Sequence, residues 1–221
     1  ELGVLFSSRG AEDDAERMYR LSLEYSPRHA MSANNLGFHL LEREGGLAEA
    51  ARLIEVAAAE RSDEPSVLDS LGWLRYRQGV IEDQRAADGA VVRRGAVSLI
   101  QDSIKLDQDG GLNPTRYDHL GDALWLRATP ESRAEAAFAW NLAEQGIRAV
   151  LEGVPISGQG DAELRARLGR LERLVRAKQL AALRGEEPEV APHGPINTAE
   201  PHEPPARATD EQPPPGKLLH E

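Results

Sequence analysis

The sequence predicts an all-α solenoid of antiparallel helix pairs, and three observations carry that expectation. The pair Leu-Gly recurs at Leu2-Gly3, Leu36-Gly37, Leu71-Gly72 and Leu120-Gly121, with spacings of 34, 35 and 49 residues. After each pair comes an alanine followed, four residues on, by a large apolar residue: Ala15 and Tyr19, Ala50 and Ile54, Ala96 and Ile100, Ala136 and Trp140. Helix-start chemistry agrees, because Asn113-Pro114 and Thr129-Pro130 each set a capping side chain before a proline in the first helical position.

Glycine on one helix and alanine on its neighbour let two backbones approach, while the large residues fill the space around that contact. First helices are expected near 1–9, 30–44, 65–79 and 114–127, and second helices near 11–25, 47–60, 92–107 and 131–152. Residues 1–152 then divide into repeats of about 1–29, 30–64, 65–113 and 114–152. The chain opens "ELGVLF", without Met and in mid-repeat, which predicts a truncated first repeat and an N-terminal part, with any targeting signal, beyond Glu1. The extra length of the third repeat falls at Val80 to Gly95. It reads as a surface insertion, since each doubling of loop length adds only ~0.6 kcal/mol; a partner-contact loop is the functional alternative. A smaller insertion surrounds "RATPES", Arg127 to Ser132.

Residues 153–185 form a loop and then a helix starting at Asp161 and stopping at Gly185, with Leu164, Leu168, Leu171, Val175 and Ala182 as its apolar stripe. Its expected role is the cap that covers the last repeat, with a membrane-surface or partner-binding helix as the alternative. From Glu186 to Glu221 the composition changes: nine of the fourteen prolines lie here, with no aromatic residue. Such a segment cannot bury enough surface to offset its ordering entropy and is expected to be disordered when alone. An external partner or assembly could still order it.

The chain has 221 residues and a formal net charge of -11, which disfavours nucleic acid and suits a neutral to basic protein or peptide partner. There is no cysteine, so disulfides, zinc-thiolate sites and thiol nucleophiles are excluded, and secreted and cytoplasmic locations both stay open. No apolar run reaches the ~20 residues needed to cross a bilayer. Arginine outnumbers lysine 23 to 3, a mark of base composition.

Ala33, Leu68 and Tyr117 stand three residues before the last three Leu-Gly pairs, and Pro27 closes the first repeat. This large-x2-Leu-Gly … Ala-x3-large pattern is the signature of the tetratricopeptide repeat (TPR). Residues 2 to about 145 resemble a bacterial TPR protein; "LDSLGW" and "YDHLGD" resemble the last two repeats of many such proteins, some of them envelope-associated. The resemblance implies a right-handed superhelix whose concave face, lined by first helices, binds peptides or protein surfaces. By that analogy Asn34, Asn35, Phe38, Asp69, Trp73, Tyr76, Asp118, Asp122 and Trp125 face the groove, with the four aromatics as anchors. The family's clamp for a C-terminal carboxylate needs lysine and arginine beside asparagines. Here Asp69, Ser70, Asp118 and His119 occupy the corresponding places, so no cationic clamp is implied.

The stretch "RYDHLGDALW" sets His119 among Asp118 and Asp122, but a catalytic or metal site needs ligands converging from other elements, for which only Asp69 is a candidate. Ser70 has no His-Asp relay and no phosphate loop follows a strand. The expectation is a non-catalytic interaction scaffold or assembly subunit without cofactor or metal. The alternative is a regulatory or substrate-presenting region of a larger enzyme whose catalytic domain precedes this chain.

Overall fold

The computed structural model describes residues 11–43, 45–107, 112–153 and 159–194. The expected first helix near 1–9, with Leu2-Gly3, and the tail beyond Gly194 lie outside the described residues. In chain order the elements are α1 (Glu12–Tyr25), α2 (Ala30–Leu41), α3 (Leu47–Glu60), α4 (Pro65–Arg77), β1 (Gln84–Arg85), β2 (Val91–Arg93), α5 (Ala96–Leu106), α6 (Pro114–Trp125), α7 (Pro130–Gly153) and α8 (Gln159–Leu183). Consecutive helices pack on one another from α1 to α8, so the core runs through the array as one elongated body.

The helix starts follow local chemistry. Asn113 accepts from the Thr115 and Arg116 amides at 3.2 and 3.3 Å, and Pro114 opens α6 with no amide to leave unpaired. At α7, Thr129 Oγ1 accepts from the Ser132 amide at 3.1 Å while Ser132 Oγ accepts from the Thr129 amide at 3.2 Å, a reciprocal cap. His29 caps α2, its ring Nδ1 accepting from the Ser32 amide at 3.2 Å.

The pairs α2–α3, α4–α5 and α6–α7 meet at the Leu-Gly seams. A Cβ on Gly37 would stand 2.6 Å from Ile54 Cγ1, and one on Gly72 would stand 2.6 Å from Ile100 Cγ1. At Gly121 the obstacle is the Trp140 ring. Each glycine thus faces the large residue that the repeat pattern pairs with it, and Ala50, Ala96 and Ala136 are buried beside them.

Two expectations are revised. The insertion at Val80 to Gly95 is a small antiparallel hairpin and not a plain loop, so among the described residues the array is helical apart from β1 and β2. Its turn closes through the Ala86 amide donating to the Ala90 carbonyl at 2.9 Å, with Gly89 at φ +86°, a backbone that a side chain would strain. The insertion also grips the helix after it: Val80 and Ile81 are buried, and Asp83 Oδ1 accepts from the Gly95 amide at 2.9 Å and the Ser98 hydroxyl at 2.5 Å.

The second revision concerns the C-terminus. Helix α8 begins at Gln159, before Asp161, and ends in a Schellman motif: Gly185 has φ +71°, its amide donates to Ala182, and the Glu186 amide donates to Ala181. Residues 186–194, expected to be free of the fold, instead run as an extended strap along α4 and α6. Main-chain groups of Ala191 and Gly194, the Glu187 carboxylate and the buried Pro188 hold it, which hydropathy does not register.

Candidate functional site

The groove-facing residues of the first helices separate into an open set and a covered set. Asn34, Asn35, Phe38 and Asp69, with Ser70 and Arg116, line a cavity of about 630 Å³ open to solvent. Asn34 is 3% exposed; its amide donates to Asn35 Oδ1 at 3.3 Å, while its own carbonyl oxygen is buried without a partner. Asn35 and Phe38 are half-buried on the same wall. The Arg116 guanidinium is paired with Asp107.

The covered set was expected to project into an open groove, and does not. Trp73 is 4% exposed: it stacks on His119 at 3.9 Å and 11° and on Tyr76 at 4.5 Å and 3°, and its Nε1 donates to Glu42 at 2.8 Å. Tyr76 is fully buried, its hydroxyl donating to the Ala191 carbonyl at 2.6 Å. Asp118 and Asp122 both receive the Lys178 ammonium, at 2.8 and 2.6 Å. Asp122 also accepts from Trp140 Nε1 at 3.1 Å and the Ala191 amide at 2.9 Å. Trp125 donates to Glu187 at 2.8 Å and lies under the Arg133 guanidinium. The chain itself fills this half of the groove, because α8 folds back along α7 and carries Lys178 and the strap with it.

His119 is wholly buried, with Nδ1 3.1 Å from Asp69 Oδ1. Burial by itself would lower its pKa, but the charge and hydrogen bond of Asp69, with the charges of Asp118 and Asp122, outweigh burial and hold it above the ordinary histidine value. Lys178 obeys the same balance: desolvation disfavours the ammonium, and the two aspartates more than restore it. Asp122 is raised by burial and by Asp118, against the opposing pull of Lys178 and the Ala191 amide. The Asp69–His119 pair joins two repeats under the Trp73 ring, and among the described residues no hydroxyl hydrogen-bonds the imidazole. Among them, also, no group of His, Asp or Glu is placed to hold a metal ion.

Lys178, His119 and the strap carry this architecture, yet none is among the nine groove candidates. Lys178 did have a signal. It is one of only three lysines and sits three residues after Val175 and four before Ala182, on the apolar stripe, where a cation must find buried carboxylates. The strap left none, since its anchors are main-chain groups and one exposed carboxylate.

Helix pairs closed by Leu-Gly seams, stacked with their first helices along one face, define the class: this is a TPR-type repeat array. No family model matches the chain. It is 40% identical over 80 residues to the TPR repeat-containing protein PA4667 of Pseudomonas aeruginosa, a stretch that is 36% of this chain and 14% of that protein. The chain thus matches about 14% of the length of that curated relative. Among solved structures the MamA protein aligns over 86% of this chain and 94% of its own, at 15% identity and a TM-score of 0.43, a loose superposition. Among the described residues no helix is long and apolar enough to cross a membrane.

Proposed function

We propose that the protein is a non-catalytic interaction scaffold that holds an extended segment of a protein partner in the open cleft of its first helices. The observation that supports this reading is the cavity itself, about 630 Å³ and open to solvent, with the half-buried Asn35 and Phe38 on one wall beside the buried Asn34. The half-buried side-chain amide of Asn35 offers the cleft a polar group that the main chain of an extended segment can pair with. Phe38 supplies the apolar contact, and a net charge of -11 favours a neutral to basic partner over nucleic acid. Catalysis is disfavoured because the His119 imidazole is buried against Trp73 and Asp69, while His39, on the cleft wall, stands against Glu12 and Glu16 with no nucleophile hydrogen-bonded to it among the described residues.

A photo-crosslinking residue placed at Ser66, on the cleft wall, tests this in cells. Adducts with a protein should form there and fall at least fivefold when Asn35→Ala and Phe38→Ala are combined. Adducts that form only from a crosslinker at the exposed Phe138, on α7, would move the partner site away from the cleft.

A further inference from the structure

The strap is held as a bound peptide is held. Ala191 is read on both sides: its amide donates to Asp122 Oδ2 at 2.9 Å and its carbonyl accepts from the Tyr76 hydroxyl at 2.6 Å. Four residues earlier, the Glu187 carboxylate accepts from Trp125 Nε1 at 2.8 Å and from Arg133 Nη2 at 2.9 Å, with that guanidinium 4.7 Å above the Trp125 ring. Between these anchors Pro188 is buried, and at the far end the Gly194 amide donates to the Arg77 carbonyl at 2.9 Å. Tyr76, Asp122 and Trp125 stand on α4 and α6, the first helices of two successive repeats.

The strap is also separable from the helix before it. The Schellman motif at Gly185 completes the hydrogen bonds of α8 without help from residues beyond Glu186. Lys178, and not the strap, neutralises Asp118 and Asp122. Glu186, Glu187, Glu189, Pro192 and His193 remain exposed, and the apolar hold on the strap is confined to the buried Pro188 and to Val190 and Ala191, which pack partly buried on the core. Its hydrogen bonds use one carboxylate and main-chain groups, which any extended segment of matching pattern can offer. The Glu187–Arg133 pair is solvent-exposed and therefore orients the segment more than it tightens it.

We propose that this channel is a recognition site for an extended segment of a partner protein, and that residues 187–194 are its internal competitor. The segment carries a glutamate four residues before a small residue that keeps its amide hydrogen. The acidic position is required because Trp125 and Arg133 both donate there. Proline is excluded opposite Asp122, whose Oδ2 needs an N–H. A tethered competitor acts at an effective concentration on the order of millimolar, so a partner engages fully only when the strap yields. This goes beyond the open-cleft reading and uses other residues, so either can fail alone.

The test is fluorescence anisotropy with a labelled peptide EEPEVAPHG, copied from residues 186–194, against the full chain and a full-chain Glu187→Lys/Ala191→Pro variant. The variant should bind the peptide at least tenfold tighter than wild type, and the same peptide with lysine at its second glutamate should lose at least fivefold. Adding Tyr76→Phe to the variant should weaken binding severalfold, with a thermal melt confirming the fold. Glu187→Ala alone removes the Trp125 and Arg133 contacts and leaves the Ala191 anchors in place; it should give an intermediate gain and decides the matter should the double variant not fold. Equal binding by wild type and a folded strap variant, or none by either, overturns the proposal. A wild-type chain that sediments as a dimer dissolved by the peptide overturns it in favour of strap exchange between copies.

Discussion

Lys178 places its ammonium 2.6 Å from Asp122 Oδ1, and the two residues come from α8 and α6, 56 positions apart in the chain. The Lys178 side chain is 2% exposed, and its ammonium also reaches Asp118 at 2.8 Å. Two buried aspartates one helical turn apart would repel each other. A cation between them is what allows the last first-helix to keep both.

Lys178→Met keeps the volume and removes the charge, leaving two carboxylates uncompensated. The expected loss is about 3–5 kcal/mol by urea denaturation. Adding Asp118→Asn and Asp122→Asn should restore more than half of it. A single variant that unfolds like wild type would show that α8 is not anchored here.

Gly72→Ala should cost about 1–3 kcal/mol, because its methyl would press on Ile100 Cγ1 at the seam. Combining it with Ile100→Ala should cost less than the two losses added, with a coupling of at least ~0.5 kcal/mol. Strict additivity in chemical denaturation would place the strain elsewhere.

Trp73→Ala should behave as a core truncation. The ring is stacked between His119 and Tyr76, so about 3–5 kcal/mol should be lost, with collapse of the near-ultraviolet circular dichroism. A melt lowered by only a degree or two would mean that the stack does not carry stability and that Trp73 is available as a partner anchor.

The Asp69–His119 pair makes stability depend on pH. The folded pKa of His119 is raised above its unfolded value of ~6.5, so its stabilisation is complete below ~6.5 and is lost as pH rises through the folded value. Asp122, also raised, contributes with the same sign from ~3.9 upward. Melting temperature should therefore fall on going from pH 6 to pH 9, and His119→Gln should flatten that slope. A slope unchanged in the folded variant would assign the effect to other groups.

The repeat seams were legible because they are local and periodic. Glycine at 37, 72 and 121 must face the large residue of the following helix, and Ile54, Ile100 and Trp140 are found there. The strap was not legible, since Ala191 is bonded through its amide and carbonyl, which every residue but proline offers alike. The hairpin at Val80 to Gly95 lay between: Asp88-Gly89 is turn chemistry, but the clasp of Asp83 on the start of α5 depends on how the insertion folds back.

By itself the sequence determined the helix pairs, because a 34-to-35-residue spacing of small and large residues permits only close antiparallel packing. Which of the first-helix residues stay open was decided by the tertiary structure alone. Asn34, Asn35, Phe38 and Asp69 line a cleft, while Tyr76, Asp118, Asp122 and Trp125 are bonded by α8 or its strap and Trp73 is stacked between His119 and Tyr76. Both sets hold equivalent places: Asp69 and Asp118 each stand two residues before their seam leucine, and Phe38 and Trp73 two after theirs. What separates them is one buried charge on a distant helix: Lys178 can be desolvated only where two carboxylates receive it, and that requirement brings α8 down over one end of the groove.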